Sequence, residues 1–216
     1  MTEVLKGAHS PTVRAWVEGW AISRSAPAPV TDRWGLRVDV GLPGHVARHI
    51  VAAPTPAAVR GLTSAITVPG TWLKLCAPVQ AVAPLLPPRW SVQDPEFMMT
   101  ARLGGDAPPP PPGYHLAVTT RAGVTAARLL TGAGEVAARG QFAIAGTTAV
   151  VDQVETAGGH RRRGLGTTVM RTIAATAAAR GARTGVLVAT AQGQALYETL
   201  GWTLHTPMTA AVLTSS

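Results

Sequence analysis

The stretch His160-Arg161-Arg162-Arg163-Gly164-Leu165-Gly166-Thr167-Thr168 decides how this sequence is interpreted. It lies between a strand-like run at 149–156 and a helix-like run at 167–180. A glycine-bearing turn from a strand into a helix presents backbone N–H groups at the positive end of the helix dipole. Glycine lets the backbone approach a ligand closely, and arginines add positive charge beside it. The stretch therefore predicts an anion site, and a phosphate-rich ligand fits it best.

Two familiar phosphate-binding motifs do not fit this loop. A P-loop needs a lysine directly after its last glycine, and no lysine follows Gly166. A dinucleotide-binding loop needs Gly-x-Gly-x-x-Gly and an acidic residue about 20 residues later. Here Gly166 leads into Thr167-Thr168-Val169, and the region near position 186 is apolar. Both motifs are therefore excluded by their spacing.

A third kind of phosphate loop does fit. The segment 161–166 (RRRGLG) has the Arg/Gln-x-x-Gly-x-Gly/Ala pattern and resembles the cofactor loop of the GCN5-related N-acetyltransferases, the GNAT superfamily. The segment 195–202 (ALYETLGW) resembles the family's second signature, in which Tyr-x-x-x-Gly-Phe/Trp closes a second helix. The resemblance covers about 114–213 and implies an α/β (α+β) fold with a mixed, mostly antiparallel central sheet flanked by helices. It also implies acetyl-CoA as the cosubstrate.

The resemblance assigns the cofactor contacts residue by residue. Val154 and Thr156 would offer backbone groups to the pantetheine arm, and the loop N–H groups would surround the pyrophosphate. Arg162 and Arg163 would screen the phosphates. Thr190 stands where family members often carry asparagine. The full expected set is Val154, Thr156, Arg161, Arg162, Arg163, Gly164, Leu165, Gly166, Thr167 and Thr190.

Acetyl transfer to an amine also needs proton transfers. Tyr197 matches the family position of the acid that protonates the leaving thiolate; the alternative is a tyrosine that only packs against the sheet. Glu155, just before the loop, is the first candidate for the base. Asp152 and a water relay stay open as alternatives, and Asp152 is also a candidate partner for a core arginine. His160 is as well explained by a solvated loop as by catalysis.

The chain divides at a Gly/Pro-rich linker, residues 104–113, whose five consecutive prolines favour an extended spacer. Residues 114–216 are expected to form the acetyl-CoA-binding core. Residues 1–103 are expected to form an α/β region on the acceptor side, and they allow two further interpretations: a degenerate second copy of the same fold, or a dimerisation surface. Strands are predicted at 15–23, 35–40, 71–76, 96–103 (an edge strand), 114–120, 124–130, 135–144, 148–156, 184–189, 202–205 and 208–213, and helices at 55–66, 167–180 and 192–200.

Composition narrows the partners. Hydrophobic residues make up 46% of the 216-residue chain and charged residues 14%, as in a globular protein. The net charge of +8 comes almost entirely from arginine, and asparagine is absent, which is typical of a GC-rich bacterial genome. We therefore do not expect a nucleic-acid partner. The few acidic residues argue against a strongly cationic acceptor.

Other features indicate a cytoplasmic protein. No apolar run reaches the length of about 18 residues that would predict a membrane-spanning helix, and the first residues lack a signal-peptide pattern. The single cysteine, Cys76, fits a reducing compartment, is expected to be buried, and has no neighbours at metal-ligand spacing.

The sequence thus predicts an N-acetyltransferase that moves an acetyl group from acetyl-CoA to a primary amine of a small molecule or peptide, with a homodimer as an open possibility. Two other functions stay open. One is a non-catalytic acyl-CoA-binding module. The other, suggested by the positive charge, is an RNA- or tRNA-directed acetyltransferase.

Overall fold

The apolar runs of this chain pair into one mixed sheet. The computed structural model describes residues 10–215. In that range the strands are β1 (Val30–Thr31), β2 (Leu36–Leu42), β3 (His45–Val51), β4 (Thr71–Leu75), β5 (Trp90–Val92), β6 (Glu96–Arg102), β7 (Tyr114–Arg121), β8 (Val124–Thr131), β9 (Val136–Ala145), β10 (Thr148–Thr156), β11 (Thr184–Thr190) and β12 (Thr203–Leu213). Their order is β1-β2-β3-β4-β12-β6-β11-β10-β9-β8-β7, with β5 beside β12. Most neighbours are antiparallel, which confirms the predicted fold class.

Helices cover both faces of this sheet. They are α1 (Pro11–Ser23), α2 (Pro56–Ala65), α3 (Val79–Val82), α4 (Leu165–Ala179) and α5 (Ala191–Thr199). Helices α4 and α5 pack on one face of the central strands, and α1 packs on the other. Helix α2 begins as predicted, because the Thr55 hydroxyl accepts a hydrogen bond from the Ala58 N–H at 3.2 Å and Pro56 occupies the first turn.

The first predicted strand, at 15–23, is wrong, because this segment lies in helix α1. Pro11 sits in the first turn, where a missing N–H costs no hydrogen bond. Val13, Trp16 and Trp20 are three or four residues apart, so a helix places them on one side, and all three are buried. Packing of this stripe against β9 and β10 outweighs the local alternation that favoured a strand.

Strand β6 lies inside the sheet, which corrects the prediction of an edge strand at 96–103. It pairs with β11 on one side and β12 on the other. Met98 and Met99 point to opposite faces and are both completely buried, as an interior strand requires. Since β6 precedes the linker at 104–113, residues on both sides of the linker share this sheet.

The two strands predicted at 202–205 and 208–213 form a single strand, β12. A bulge between Leu204 and Thr206 absorbs the irregularity, and Pro207 still pairs in register with Phe97. Proline cannot donate a hydrogen bond to the neighbouring strand, and a bulge is a place where that missing bond is tolerated. The strand therefore continues through Pro207.

Two strand–helix–strand units give the sheet its parallel pairs. Strand β10, helix α4 and strand β11 form the predicted crossover, and β3, α2 and β4 repeat this order before the linker. Strands β3 and β4 stay paired over 47–51 with 71–75. Strands β10 and β11 pair only over 148–150 with 184–186. The β10–α4–β11 unit therefore opens, beside the loop at 160–168, whereas the β3–α2–β4 unit stays closed.

Candidate active site

The candidate site is the cleft that forms where β10 and β11 separate. Beyond Val150 and Val186 the two strands lose their pairing and leave a cleft of about 1010 Å³. A strand edge without a neighbour keeps backbone N–H and C=O groups free for a ligand. The cleft side of β10 can therefore bind an extended polar molecule along its backbone.

At the mouth of the cleft, the N-terminus of α4 presents backbone donors. Gly164 has φ 76° and precedes the helix, with no side chain capping the first turn. The first helical hydrogen bond runs from the Thr168 N–H to the Gly164 carbonyl, at 3.0 Å. The N–H groups of residues 165–167 have no place in the helical ladder, so they are available to an anion.

Three arginines precede this helix, and only two of them, Arg161 and Arg162, face the cleft. Arg161 and Arg162 line the cleft, and Arg161 Nε donates to the Thr156 carbonyl at 3.3 Å. Arg163 departs from its expected position, because its guanidinium donates to the Tyr114 hydroxyl at 3.1 Å and does not line the cleft. The Tyr114 hydroxyl also bonds His160 Nδ1 at 2.9 Å, which places His160 in a structural contact of the loop.

Strand β10 contains a bulge in the middle of the cleft. Its pairing with β9 shifts between Asp152 and Glu155, and Gln153 takes a left-handed conformation with φ 54°. The Asp152 carboxylate accepts bonds from the Gln153 N–H at 2.9 Å and the Arg24 guanidinium at 2.9 Å. Asp152 thus pairs with an arginine, but Arg24 at the end of α1 has a side chain 43% exposed and is not the core arginine of the alternative interpretation.

The two carboxylates that border the cleft differ in exposure. The Glu155 side chain is 63% exposed and pairs with Arg139 at 2.9 Å. The Asp152 side chain is 15% exposed and faces the α1 side of the sheet. Asp152 is therefore the more enclosed of the two acidic groups.

Tyr197 lies on the opposite wall, on helix α5. Its side chain is 9% exposed and lines the cleft, and its ring packs at a tilt of 53° beside Trp202, with ring centroids 6.2 Å apart. Its hydroxyl makes no hydrogen bond to any residue in 10–215. Burial, with a smaller contribution from the Asp152 charge, raises the pKa of Tyr197 to about 12. The phenol is therefore a protonated donor at neutral pH.

Thr190 joins the end of β11 to the start of α5. Its hydroxyl accepts a bond from the Gly193 N–H at 3.2 Å and so caps the helix. It also lines the cleft, where its own O–H proton remains free to donate. A threonine here thus performs a capping function and still faces the ligand space.

The structure brings most of the expected contact residues together and adds others. The predicted residues that line the cleft are Val154, Glu155, Thr156, Arg161, Arg162, Gly164, Leu165, Gly166, Thr167, Thr190 and Tyr197. Sequence reasoning missed Val151, Gln153, Leu187, Val188, Ala189, Gln192, Gly193, Ala195, Leu196 and Thr199. The Thr190-x-x-Gly193 capping spacing was one available signal. The others depend on where β10 and β11 separate, which no local pattern indicates.

Cys76 is buried as predicted, away from this cleft, and burial raises the pKa of its thiol to about 12. Within residues 10–215, no three His, Cys, Asp or Glu side chains are grouped as metal ligands. In the same range, every helix falls short of the length and apolar character needed to cross a membrane.

Comparison with known proteins places this geometry in a family. The model of the acetyltransferase (GNAT) family matches residues 80–202, which include β6 and the linker as well as the cleft. No curated protein matches the chain.

Solved structures share its fold. A GCN5-related N-acetyltransferase from Kribbella flavida is 18% identical, with TM-score 0.62 over 91% of this chain and 93% of that one. A putative GNAT-family acetyltransferase from Novosphingobium aromaticivorans is 24% identical, with TM-score 0.60 over 95% and 99%. A GCN5-related N-acetyltransferase-like protein from Streptococcus suis is 12% identical, with TM-score 0.56 over 77% and 79%.

Proposed function

The chain belongs to the GNAT family of acetyltransferases, and from that membership we propose that it transfers an acetyl group from acetyl-CoA to a primary amine of a small molecule or peptide. One observation carries the proposal. A single cleft combines the uncapped N-terminus of α4 at Gly164 with the unpartnered hydroxyl of Tyr197. The first suits a phosphate group and the second can donate a hydrogen bond to a leaving sulfur, and an acetyl-CoA-dependent transfer uses both.

The residues present fit acetyl-CoA. The N–H groups at 165–167 would hold the pyrophosphate, and Arg161 and Arg162 would screen its charge. The free edge of β10 at Val154 and Thr156 would bond the amide groups of the pantetheine arm. Acetyl-CoA bound this way supplies an activated thioester carbonyl at the inner end of the cleft.

The chemistry is a direct transfer. The neutral amine nitrogen forms a bond to the thioester carbonyl carbon, the carbon–sulfur bond breaks, and the amine loses a proton. A backbone N–H of β10 near Val154 would stabilise the negative oxygen that develops on the carbonyl. The Tyr197 hydroxyl would donate to the departing sulfur. Holding amine and thioester side by side supplies a further share of the rate enhancement.

The amine proton has three candidate destinations. Glu155 stays a prediction from the sequence, and its exposure and its pairing with Arg139 place it at the rim of the cleft. Asp152 is more enclosed, and its charge acts on Tyr197 across the same space. A water chain that ends at either carboxylate would serve equally.

Calorimetric titration with acetyl-CoA tests the binding half of the proposal. Gly164 and Gly181 flank α4 with φ of 76° and 90°, and at neither glycine does any atom lie within 4 Å of the position that a Cβ would occupy. Alanine at either position therefore carries a similar backbone strain of about 1–2 kcal/mol. Gly164→Ala, in the cleft, should weaken acetyl-CoA binding at least about tenfold, because the added methyl group would keep the pyrophosphate from close approach to the loop N–H groups, and a hydrogen bond to a charged group is worth about 1.5–3 kcal/mol. Gly181→Ala should leave the affinity unchanged; equal affinities for both variants contradict the proposed loop.

A charge-matched pair checks the arginines in the same titration. Arg162 lines the cleft, whereas Arg163 bonds Tyr114 outside it. Arg162→Gln should weaken acetyl-CoA binding and reduce its dependence on salt. Arg163→Gln removes the same charge from the adjacent residue and should have a smaller effect.

Turnover separates the enzyme from the two alternatives. Release of free CoA thiol with a panel of primary amines would support the acetyltransferase. Tight acetyl-CoA binding without turnover of any amine would instead indicate the acyl-CoA-binding module. A titration with RNA at low salt decides the third option, because an RNA-directed enzyme must bind RNA there.

The region before the linker has a proposed part in this function. We infer that it forms the acceptor side of the site, because β6 brings Glu96 next to Thr190 of the cleft. The repeated β3–α2–β4 unit keeps the degenerate-copy interpretation open, but its strands remain paired and offer no second cleft of this kind.

A further inference from the structure

Five charged side chains gather where the cleft reaches the α1 face of the sheet. We name them the charged cluster: Arg24, Arg48, Lys74, Glu96 and Asp152. Asp152 lines the cleft directly. Glu96 stands opposite Thr190, another residue that lines the cleft, in the antiparallel pairing of β6 with β11. Directly opposed residues of an antiparallel pair point to the same face, so Glu96 lies on the same face as Thr190, and Asp152 is the cluster member that lines the cleft itself.

Two ion pairs neutralise four members of this cluster. Arg24 Nη2 bonds Asp152 at 2.9 Å, and Lys74 Nζ bonds Glu96 at 2.6 Å. The Lys74 ammonium is buried, with a side chain only 6% exposed. These pairs leave the cluster with one positive charge in excess, on Arg48.

Arg48 has no acidic partner of its own in residues 10–215. Its guanidinium carbon lies 4.0 Å above the Trp20 ring, and its Nε donates to His45 Nε2 at 3.3 Å. His45 is no substitute for an anion, since burial and the nearby cations lower its pKa to about 4 and keep it neutral. Burial likewise lowers the pKa of Arg48 to about 10, while the charges of Glu96 and Asp152 reach it without contact.

A largely buried guanidinium with free donors is a binding site for a carboxylate. Its planar fork matches the two oxygens of that group, and the aromatic face beneath it fixes its orientation. Because Asp152 is paired with Arg24 and Glu96 with Lys74, the one excess positive charge on Arg48 favours an anionic ligand over a cationic one.

We propose that the acceptor is an amine that also bears a carboxylate, of the amino-acid class, and that Arg48 binds this carboxylate while the amine enters the cleft beside Asp152. One ligand carboxylate balances the excess charge of the cluster. The rings of Trp20 and Trp72 lie on either side of His45, with centroids 6.0 and 5.6 Å from it. This inference rests on the proposed acetyltransferase function, and it names the substrate class of the same site.

Matched substrates provide the test. L-Phenylalanine, L-tryptophan and L-leucine are each compared with their amides and with phenethylamine, tryptamine and isoamylamine, which lack the carboxylate. The measured quantity is kcat/KM for CoA release at saturating acetyl-CoA. The amino acids should be preferred roughly 10- to 150-fold, the range of one hydrogen bond to a charged group.

Two arginine variants test whether Arg48 causes the preference for substrates with a carboxylate. Arg48→Met should remove it by raising KM for the amino acid, with KM for acetyl-CoA unchanged. Arg33 is the matched control, since its guanidinium carbon lies 3.9 Å above the Trp34 ring, away from the cleft. Arg33→Met removes an arginine–tryptophan contact of the same kind and should keep the preference intact.

The outcomes separate the two proposals. Equal or better turnover of the carboxylate-free amines overturns the carboxylate site and leaves the acetyltransferase standing. Acetyl-CoA binding without turnover of any amine, and without calorimetric binding of any amino acid, overturns both. If Arg48→Met fails to fold, the wild-type comparison still decides, and Arg48→Lys should show a reduced preference.

Discussion

Removal of the Tyr197 hydroxyl isolates its chemical role from its packing. The Tyr197 ring packs near Trp202, and its hydroxyl has no hydrogen-bond partner within residues 10–215. Phenylalanine keeps the ring and leaves no polar group unsatisfied. We therefore expect Tyr197→Phe to fold with unchanged stability and to bind acetyl-CoA with unchanged affinity.

The expected loss of rate follows from the pKa of this phenol. Burial raises the pKa of Tyr197 to about 12, whereas a simple thiol has a pKa of about 8.5. Complete proton transfer from this phenol to a thiolate is therefore uphill by about 5 kcal/mol. Tyr197 would instead stabilise the departing sulfur as a hydrogen-bond donor, an interaction of about 1.5–3 kcal/mol with a charged partner. Tyr197→Phe should thus lower kcat about 10- to 150-fold.

The assay is the rate of CoA thiol release at saturating acetyl-CoA and acceptor, between pH 6 and 10. Because the phenol ionises only at about 12, its loss of a proton should produce no decline of the wild-type rate in this interval. A kcat within about threefold of wild type would refute the assigned role. So would a lowered acetyl-CoA affinity that accounts for the whole effect, since the hydroxyl would then act in binding alone.

Three other predictions test the packing and the charges around the cleft. Asp152→Asn should lower kcat more than Glu155→Gln, because Asp152 is the more enclosed carboxylate. The variant Arg24→Gln, measured in parallel, reports how much of the loss of kcat is due to the broken Arg24–Asp152 ion pair. Gly19→Ala should lower the free energy of unfolding in urea by about 1–3 kcal/mol, because its Cβ would lie 2.3 Å from Val150 Cγ2; the control Gly61→Ala, which meets only Trp34 at 3.3 Å, should cost less. The melting temperature should fall as the pH drops from about 6.5 to 4, because His45 has a pKa of about 6.5 in the unfolded chain and about 4 in the folded one. The variant His45→Gln should show a smaller fall of the melting temperature over the same pH range.

Local chemistry accounts for much of the fold that the sequence predicted. The antiparallel hairpins after the linker, the start of α2 at Thr55-Pro56 and the crossover around α4 depend on residues near one another in the chain. The loop from Arg161 to Gly166 belongs to the same class, because a glycine turn before a helix presents its N–H groups whatever surrounds it. Sequence alone was sufficient for these features.

Other features required the tertiary structure, because they depend on which segments, distant in the sequence, pack against each other in the fold. The segment 15–23 became a helix since its tryptophans bury against β9 and β10, and β6 moved from the expected edge to the interior of the sheet. The direction of Arg163 was set by Tyr114, 49 residues away.

The amino-acid sequence by itself determined the glycine loop before α4, the position of Tyr197 and the family. Each of these depends on a short run of residues whose backbone conformation is set by neighbours in the sequence. Only the tertiary structure brings together the residues of the proposed acceptor side, because Arg48, Glu96 and Asp152 come from three strands that meet only when the sheet is assembled. Long-range pairing, unlike a turn or a helix cap, has no signature within one segment of the chain.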